Sequence, residues 1–319
     1  MPVTSRNKRA NRRTFLKTSA AVALAAGAGA PAKSAGGMKP IRLGAPVFPE
    51  PKDPEALALA HKKMGYRAAY CPSIPLKETD RIRATAAAFA RHDVALAEVG
   101  VWCNLLDADP AKRKANLQRV IDGLALADVI GARCCVDIAG SFSKEAWHGP
   151  HPKNLSKEFF DAAVANARAI VDTVKPKRSV FCYEMMGWSI PDSAESYLRL
   201  IKAVDRKGFG VHLDPCNLIN CPSRYYDTTA MINACFDTLG PWIASCHAKD
   251  VTWDVEMQMH FREVPLGQGT LDYHTYLRRL AALPHDPPLM IEHMKGAAEY
   301  ETCRRHLLDM AGKIGVSFE

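Results

Sequence analysis

The sequence predicts an α/β protein folded as a single closed (β/α)8 barrel. Three observations carry this. From residue 41 onward, short apolar runs rich in β-formers alternate with longer amphipathic segments, and eight such pairs can be counted. The runs are apolar almost throughout, which marks parallel strands covered by helices on their outer face. Eight units in about 280 residues match the length of one closed barrel. The composition agrees, since 48% hydrophobic and 24% charged residues in a chain of 319 is ordinary for a globular protein. Disordered, collagenous and coiled-coil chains are excluded. An open, doubly wound sheet would use the same units, but no GxGxxG follows the first run.

The expected strands are 41–46 (IRLGAP), 66–71 (YRAAYC), 94–99 (VALAEV), 132–138 (ARCCVDI), 179–184 (SVFCYE), 209–214 (FGVHLD), 242–247 (WIASCH) and 287–292 (PPLMIE). Helices fill the intervals. Ser156 is placed to cap one whose Phe160, Val164, Ala167 and Val171 recur every three to four residues until Lys175-Pro176 stops it. Asp192 and Glu195 have the spacing of a capping box for the helix carrying Leu198, Ile201 and Val204.

The formal charge of +8 suggests a basic protein, but its source is local. Seven of the 42 Lys and Arg (Arg6, Lys8, Arg9, Arg12, Arg13, Lys17, Lys33) fall in residues 1–37, which hold no acid, leaving 35 to face 34 Asp and Glu. A near-neutral body removes the case for a nucleic-acid partner, whose recognition needs many phosphate contacts. Residues 1–37 read as a charged region, an Ala-rich apolar stretch from 19 to 30, and small residues suited to cleavage. Arg12-Arg13-Thr14-Phe15-Leu16-Lys17 resembles a bacterial twin-arginine export signal. That resemblance implies the export machinery as a partner, a periplasmic location, and two parts: a signal and linker over 1–37 and the barrel over 38–319. Ten Cys without a CxxC show neither a disulfide framework nor a thiolate zinc cluster, and read as small core residues.

In a barrel of this kind, chemistry sits at the carboxyl ends of the strands. Four consecutive expected strands end in a metal-ligating type: Glu184, Asp214, His247 and Glu292. Ionised groups closing apolar runs need a partner or a metal to offset desolvation. Three carboxylates and an imidazole suit one divalent ion: manganese, magnesium, cobalt or zinc.

The segments FCYEMMGW around Glu184, VHLDPCN around Asp214, SCHAKD around His247, PLGQGTLDY from Pro265 and LMIEHM around Glu292 resemble the xylose isomerase-like TIM-barrel superfamily, the sugar phosphate isomerase/epimerase group. The resemblance runs from Ile41 to the C-terminus and implies a metal held by Glu, Asp, His and Glu in that order. It also implies that Glu184 and Glu292 move protons on opposite faces of a sugar. A proton removed beside a carbonyl leaves an enediolate, and its return on the other face or the next carbon gives epimerisation or isomerisation. With a leaving group one carbon further on, the same site is a keto-glycoside lyase or hydratase. A non-catalytic sugar-binding barrel is the third reading.

Several residues are candidates for binding substrate. His212 shares a strand side with Asp214, and Glu98 with Trp102 closes the third strand. His260 and Arg262 occupy a long loop where the family has a substrate-contacting Arg. Lys249 and Asp250 follow His247, as ligand support or a loop cap. Trp147, His148 and His151 follow the fourth strand. Asn217 stands where ketose epimerases tend to carry His, which argues against a standard ketohexose. Gly267-Gln268-Gly269 offers backbone amides to an anion or shapes a turn. Export favours an unphosphorylated sugar, keto-sugar or glycoside. A homo-oligomer is left open.

Overall fold

A computed structural model describes residues 37–319, and the expected export signal lies outside the described residues. The strands in chain order are β1 (Leu43–Gly44), β2 (Ala68–Tyr70), β3 (Ala95–Gly100), β4 (Cys134–Asp137), β5 (Val180–Glu184), β6 (Phe209–Leu213), β7 (Ile243–Ala248), β8 (Asp250–Asp254), β9 (His260–Val264) and β10 (Leu289–Ile291). Eight of them form a closed parallel ring in the order β1-β10-β7-β6-β5-β4-β3-β2, with β8 and β9 as a separate antiparallel hairpin. Closure is made by β1 against β10, where Leu43 pairs with Leu289 and Gly44 with Met290. The open-sheet alternative is thereby ruled out.

The outer layer consists of α1 (Pro54–Lys63), α2 (Thr79–Arg91), α3 (Pro110–Ile130), α4 (Lys157–Val174), α5 (Ala194–Val204), α6 (Pro222–Tyr226), α7 (Thr228–Leu239), α8 (Tyr273–Ala281) and α9 (Ala297–Lys313). Their starts are set by short polar caps. Asp53 and Asp109 accept from the first-turn amides of α1 and α3, each with Pro at the next position. Ser156 caps α4 as expected, accepting from Phe159 N. The capping box of α5 sits one residue later than expected, because Ser193 and Ser196 bond each other's backbone amides and displace Asp192 and Glu195 from that role. Helix faces such as Phe159, Ala163, Ala167 and Ile170 of α4 pack fully buried against the sheet.

The second correction is the hairpin, because the segment after His247 was expected as a loop. Asp250 of β8 pairs with Val264 of β9 and Asp254 with His260, so the hairpin projects above the carboxyl end of β7. All ten cysteines are free, eight of them buried. No helix among the described residues is long and apolar enough to cross a membrane.

Candidate functional site

Strand alternation decides which side chains enter the barrel. On β7 the inward positions are Ser245 and His247, followed by Lys249 one residue past the strand; on β6 they are His212 and then Asp214. Glu184 ends β5, and Glu292 follows β10. The ligand atoms of Glu184, Asp214, His247 and Glu292 all lie within 4.8 Å of one another. His247 Nδ1 is their centre, 2.8 Å from Glu184 Oε1, 3.0 Å from Glu292 Oε2 and 3.5 Å from Asp214 Oδ2.

A second polar layer lies directly beneath. Glu98 reaches across the ring from β3 and accepts from His212 Nε2 at 2.9 Å, Ser245 Oγ at 2.9 Å and His247 Nε2 at 3.1 Å. Burial alone would push its carboxyl up, but the charges and hydrogen bonds of the two imidazoles hold it well below the usual carboxylate range. An ionised Glu98 requires the proton of His247 on Nε2, which turns Nδ1 toward the three carboxylates above. This is the carboxylate–histidine arrangement that orients an imidazole for a metal.

Three acceptor oxygens around one imidazole nitrogen call for a positive charge, either a proton on Nδ1 or a cation. Burial disfavours charge on His247, but Glu292 and Glu98 raise its pKa well above the usual value. Burial pushes the Glu184 carboxyl up, with Lys249 and His247 opposing only in part. At Glu292 burial acts the same way, yet His247 and Lys249 win and hold it down at about 2. Asp214 is held still lower by Lys249 and His247 against burial. Lys249 Nζ lies 2.8 Å from Asp214 Oδ2 and 3.0 Å from Glu292 Oε2. These are ionic contacts without hydrogen-bond geometry, so both buried oxygens keep unused lone pairs. Orphaned carboxylate oxygens facing an imidazole nitrogen fit a divalent ion of the oxygen- and nitrogen-liganded kind.

Above this layer opens a cavity of about 370 Å³, lined by Trp102, Trp147, Trp188, Asn217, Glu263 and His293 with Glu184 and Glu292. A larger hollow of about 450 Å³ lies outside the barrel beside Cys71, Arg119 and Asp122. Among the described residues, no metal-ligating group of three or more opens into it.

Of the residues expected to bind substrate, Trp102, Asn217 and Lys249 line this cavity, and five others do not. Glu98 and His212 are sealed below His247, at 1% and 0% exposure, because alternation puts them one layer deeper than the ligands. Arg262 turns outward to Asp254 at 3.0 Å, and His260 turns outward to Glu256. The antiparallel register of β8 and β9 gives the inward position to Glu263 instead, 3.7 Å from Lys249 Nζ and 2.9 Å from His293 Nδ1. His151 accepts from Lys153 N and caps the short turn 152–155. The amides of Gly267 and Gly269 do bind an anion, but it is the buried carboxylate of Asp250, which also takes Val251 and Leu271. Glu263, His293 and Trp188 were not expected. The period-two pattern of HFREV was the available signal for Glu263.

The family model described as xylose isomerase-like TIM barrel matches residues 58–310. A probable L-ribulose-5-phosphate 3-epimerase of Mycoplasma pneumoniae is 20% identical over 182 residues, 57% of this chain and 54% of that protein, so the chain spans about half the length of this curated relative. Among solved structures, a xylose isomerase domain protein from Planctomyces limnophilus superposes with a TM-score of 0.63 at 16% identity, covering 87% of this chain and 99% of that one. D-psicose 3-epimerase from Clostridium cellulolyticum H10 gives 0.62 at 15% identity, with 84% and 95% covered. A xylose isomerase-like TIM barrel protein from Mycobacterium smegmatis in complex with magnesium gives 0.59 at 17% identity, with 82% and 88% covered.

Proposed function

Because the chain belongs to the xylose isomerase-like TIM-barrel family, we propose that it is a divalent-metal-dependent carbohydrate isomerase or epimerase working by proton transfer beside a carbonyl. The observation that carries this is the meeting of Glu184 and Glu292 at one cavity floor from strands three places apart in an eight-membered ring. Two carboxylates reaching a substrate from well-separated directions can take a proton on one face and return it on the other. Epimerases among the similar proteins, and magnesium in one of them, support the reading.

Glu184, Asp214, His247 and Glu292 would hold the metal. When bound, it supplies positive charge against the negative charge that develops on the substrate oxygens as the C–H proton leaves. Glu98 fixes the orientation of His247. Lys249 and Asn217, joined at 3.1 Å through Nζ and Oδ1, present polar groups to sugar hydroxyls. Trp102 offers an apolar face to the ring. Ile138 and Met186 line the same cavity and limit water around the reacting carbon.

Export is part of the proposal. The Arg12-Arg13-Thr14-Phe15-Leu16-Lys17 stretch supports it, and an exported enzyme meets unphosphorylated sugars. The test is metal analysis followed by incubation of manganese-loaded protein with free ketoses in deuterium oxide. One metal per chain and deuterium uptake at the carbon beside the carbonyl are expected, with Glu184→Gln and Glu292→Gln each losing on the order of a hundredfold or more in exchange rate. Unchanged exchange in both variants would refute the assignment. In a parallel incubation with a 3-keto-glycoside, release of the aglycone in place of exchange would transfer the same residues to an elimination.

A further inference from the structure

The cavity above Glu184 and Glu292 has two aromatic tiers, and the chemistry above uses only the inner one. Trp102 leaves β3 in the left-handed backbone region, with φ of +50°, which bulky residues rarely adopt. Its indole stands 6.5 Å from the His247 ring. Gly100 makes the room, since a Cβ there would lie 2.5 Å from Trp102 Nε1. A backbone held by its surroundings in a sparsely populated region beside a cleft is the kind of strain that clusters at ligand contacts.

The outer tier is Trp147 and Trp188, from the loops after β4 and β5. They remain 42% and 43% exposed, although both line the cavity. His148 lies between them, its ring 4.9 Å from Trp147 and 6.4 Å from Trp188. The Trp188 indole N–H donates to the His148 carbonyl, so the rim is tied in place. Indoles supply a large apolar face with a polar edge. Two of them half in water at a cavity mouth, Trp188 held by its N–H, leave apolar area that a ligand would cover.

We infer that Trp147 and Trp188 form a subsite for a second ring, so that the substrate class is a keto-glycoside: its reacting sugar, whose ring ketone supplies the carbonyl that a closed anomeric centre lacks, lies over the carboxylates and its aglycone or neighbouring sugar stacks on the rim. The inference deepens the isomerase or epimerase reading and rests on it for the reacting sugar. The test is calorimetric titration of the manganese-loaded full chain with phenyl β-D-glucopyranoside and methyl β-D-glucopyranoside as probes. The phenyl glycoside should bind tighter by on the order of two- to tenfold, the range of one aromatic stack. That ratio should fall toward one in Trp147→Ala and Trp188→Ala and survive in part in Trp188→Phe. Both indoles are half-exposed, so melting temperatures should stay near the parent's.

Equal affinities in the parent, no measurable binding of either probe, or an undiminished ratio in both alanine variants would overturn the inference. Deuterium uptake into free ketoses and into a 3-keto-glucoside reads the catalytic proposal separately. A phenyl preference without uptake would leave the subsite and remove the isomerase, and uptake without a preference would do the reverse.

Discussion

Glu98→Gln tests the coupling between the buried layer and the candidate metal ligands. Glu98 accepts three donors, His212 Nε2 and Ser245 Oγ on one oxygen and His247 Nε2 on the other. Glutamine keeps the shape but replaces one oxygen by an NH2 group. The orientation that loses least keeps the oxygen toward His212 and Ser245 and turns the amide nitrogen to His247. Donor then faces donor, unless His247 moves its proton to Nδ1 and accepts from the amide. The metal-free protein therefore loses about 1–3 kcal/mol of stability, the cost of one unmatched buried group and a weakened charge-assisted bond. Metal binding is weakened as well, because Nδ1 must give up its proton before it can ligate. Loss of such an orienting partner lowers affinity by about 10- to 100-fold, or about 1.4–2.8 kcal/mol. Manganese affinity measured by calorimetry, beside melting curves with and without metal, separates the two effects. A variant that melts lower yet binds manganese with parental affinity would refute the argument that Glu98 sets the tautomer of His247.

Two further predictions concern stability. His61 of α1 is buried against Tyr66 and Phe89 with Nδ1 unpartnered, and burial lowers its pKa to about 4. The unfolded chain takes up that proton near pH 6.5 and the folded one only near 4, so stability is full above the unfolded value and falls as pH drops through this window, by at most about 3 kcal/mol. His61→Leu should flatten urea-unfolding stability between pH 7 and 4; an unchanged slope would exclude His61 as its source. Asp250→Ala should destabilise by more than about 3 kcal/mol, because four backbone amides at 2.9–3.1 Å lose a charged acceptor at once. Hydrogen exchange should quicken first at Gly267, Gly269 and Leu271, and protection equal to the parent's would show that the loop does not depend on Asp250.

Much of the architecture could be read directly from residue order. Continuous apolar runs alternating with capped amphipathic helices specify parallel strands under helices, since each run must be covered and each helix must bury one face. The same reading picked out Glu184, Asp214, His247 and Glu292, whose ligand atoms meet within 4.8 Å, because a charged residue closing an apolar run stands out locally. The Ser156 cap was legible too, whereas Ser193 was missed because serines at both ends of a capping box are a weaker pattern than Asp with Glu. Ring closure decided the rest. It brings Glu98 of β3 to His247 of β7 across 149 positions of chain, an encounter without a local signature. It also sets depth, so that His212, on the same strand side as Asp214, lies under the ligands instead of over them. Pairing register made the choice between Arg262 and Glu263, since a shift of one residue exchanges the two faces of a strand. Periodicity along the chain can show that a side chain has a face, but only closure and register determine what that face meets.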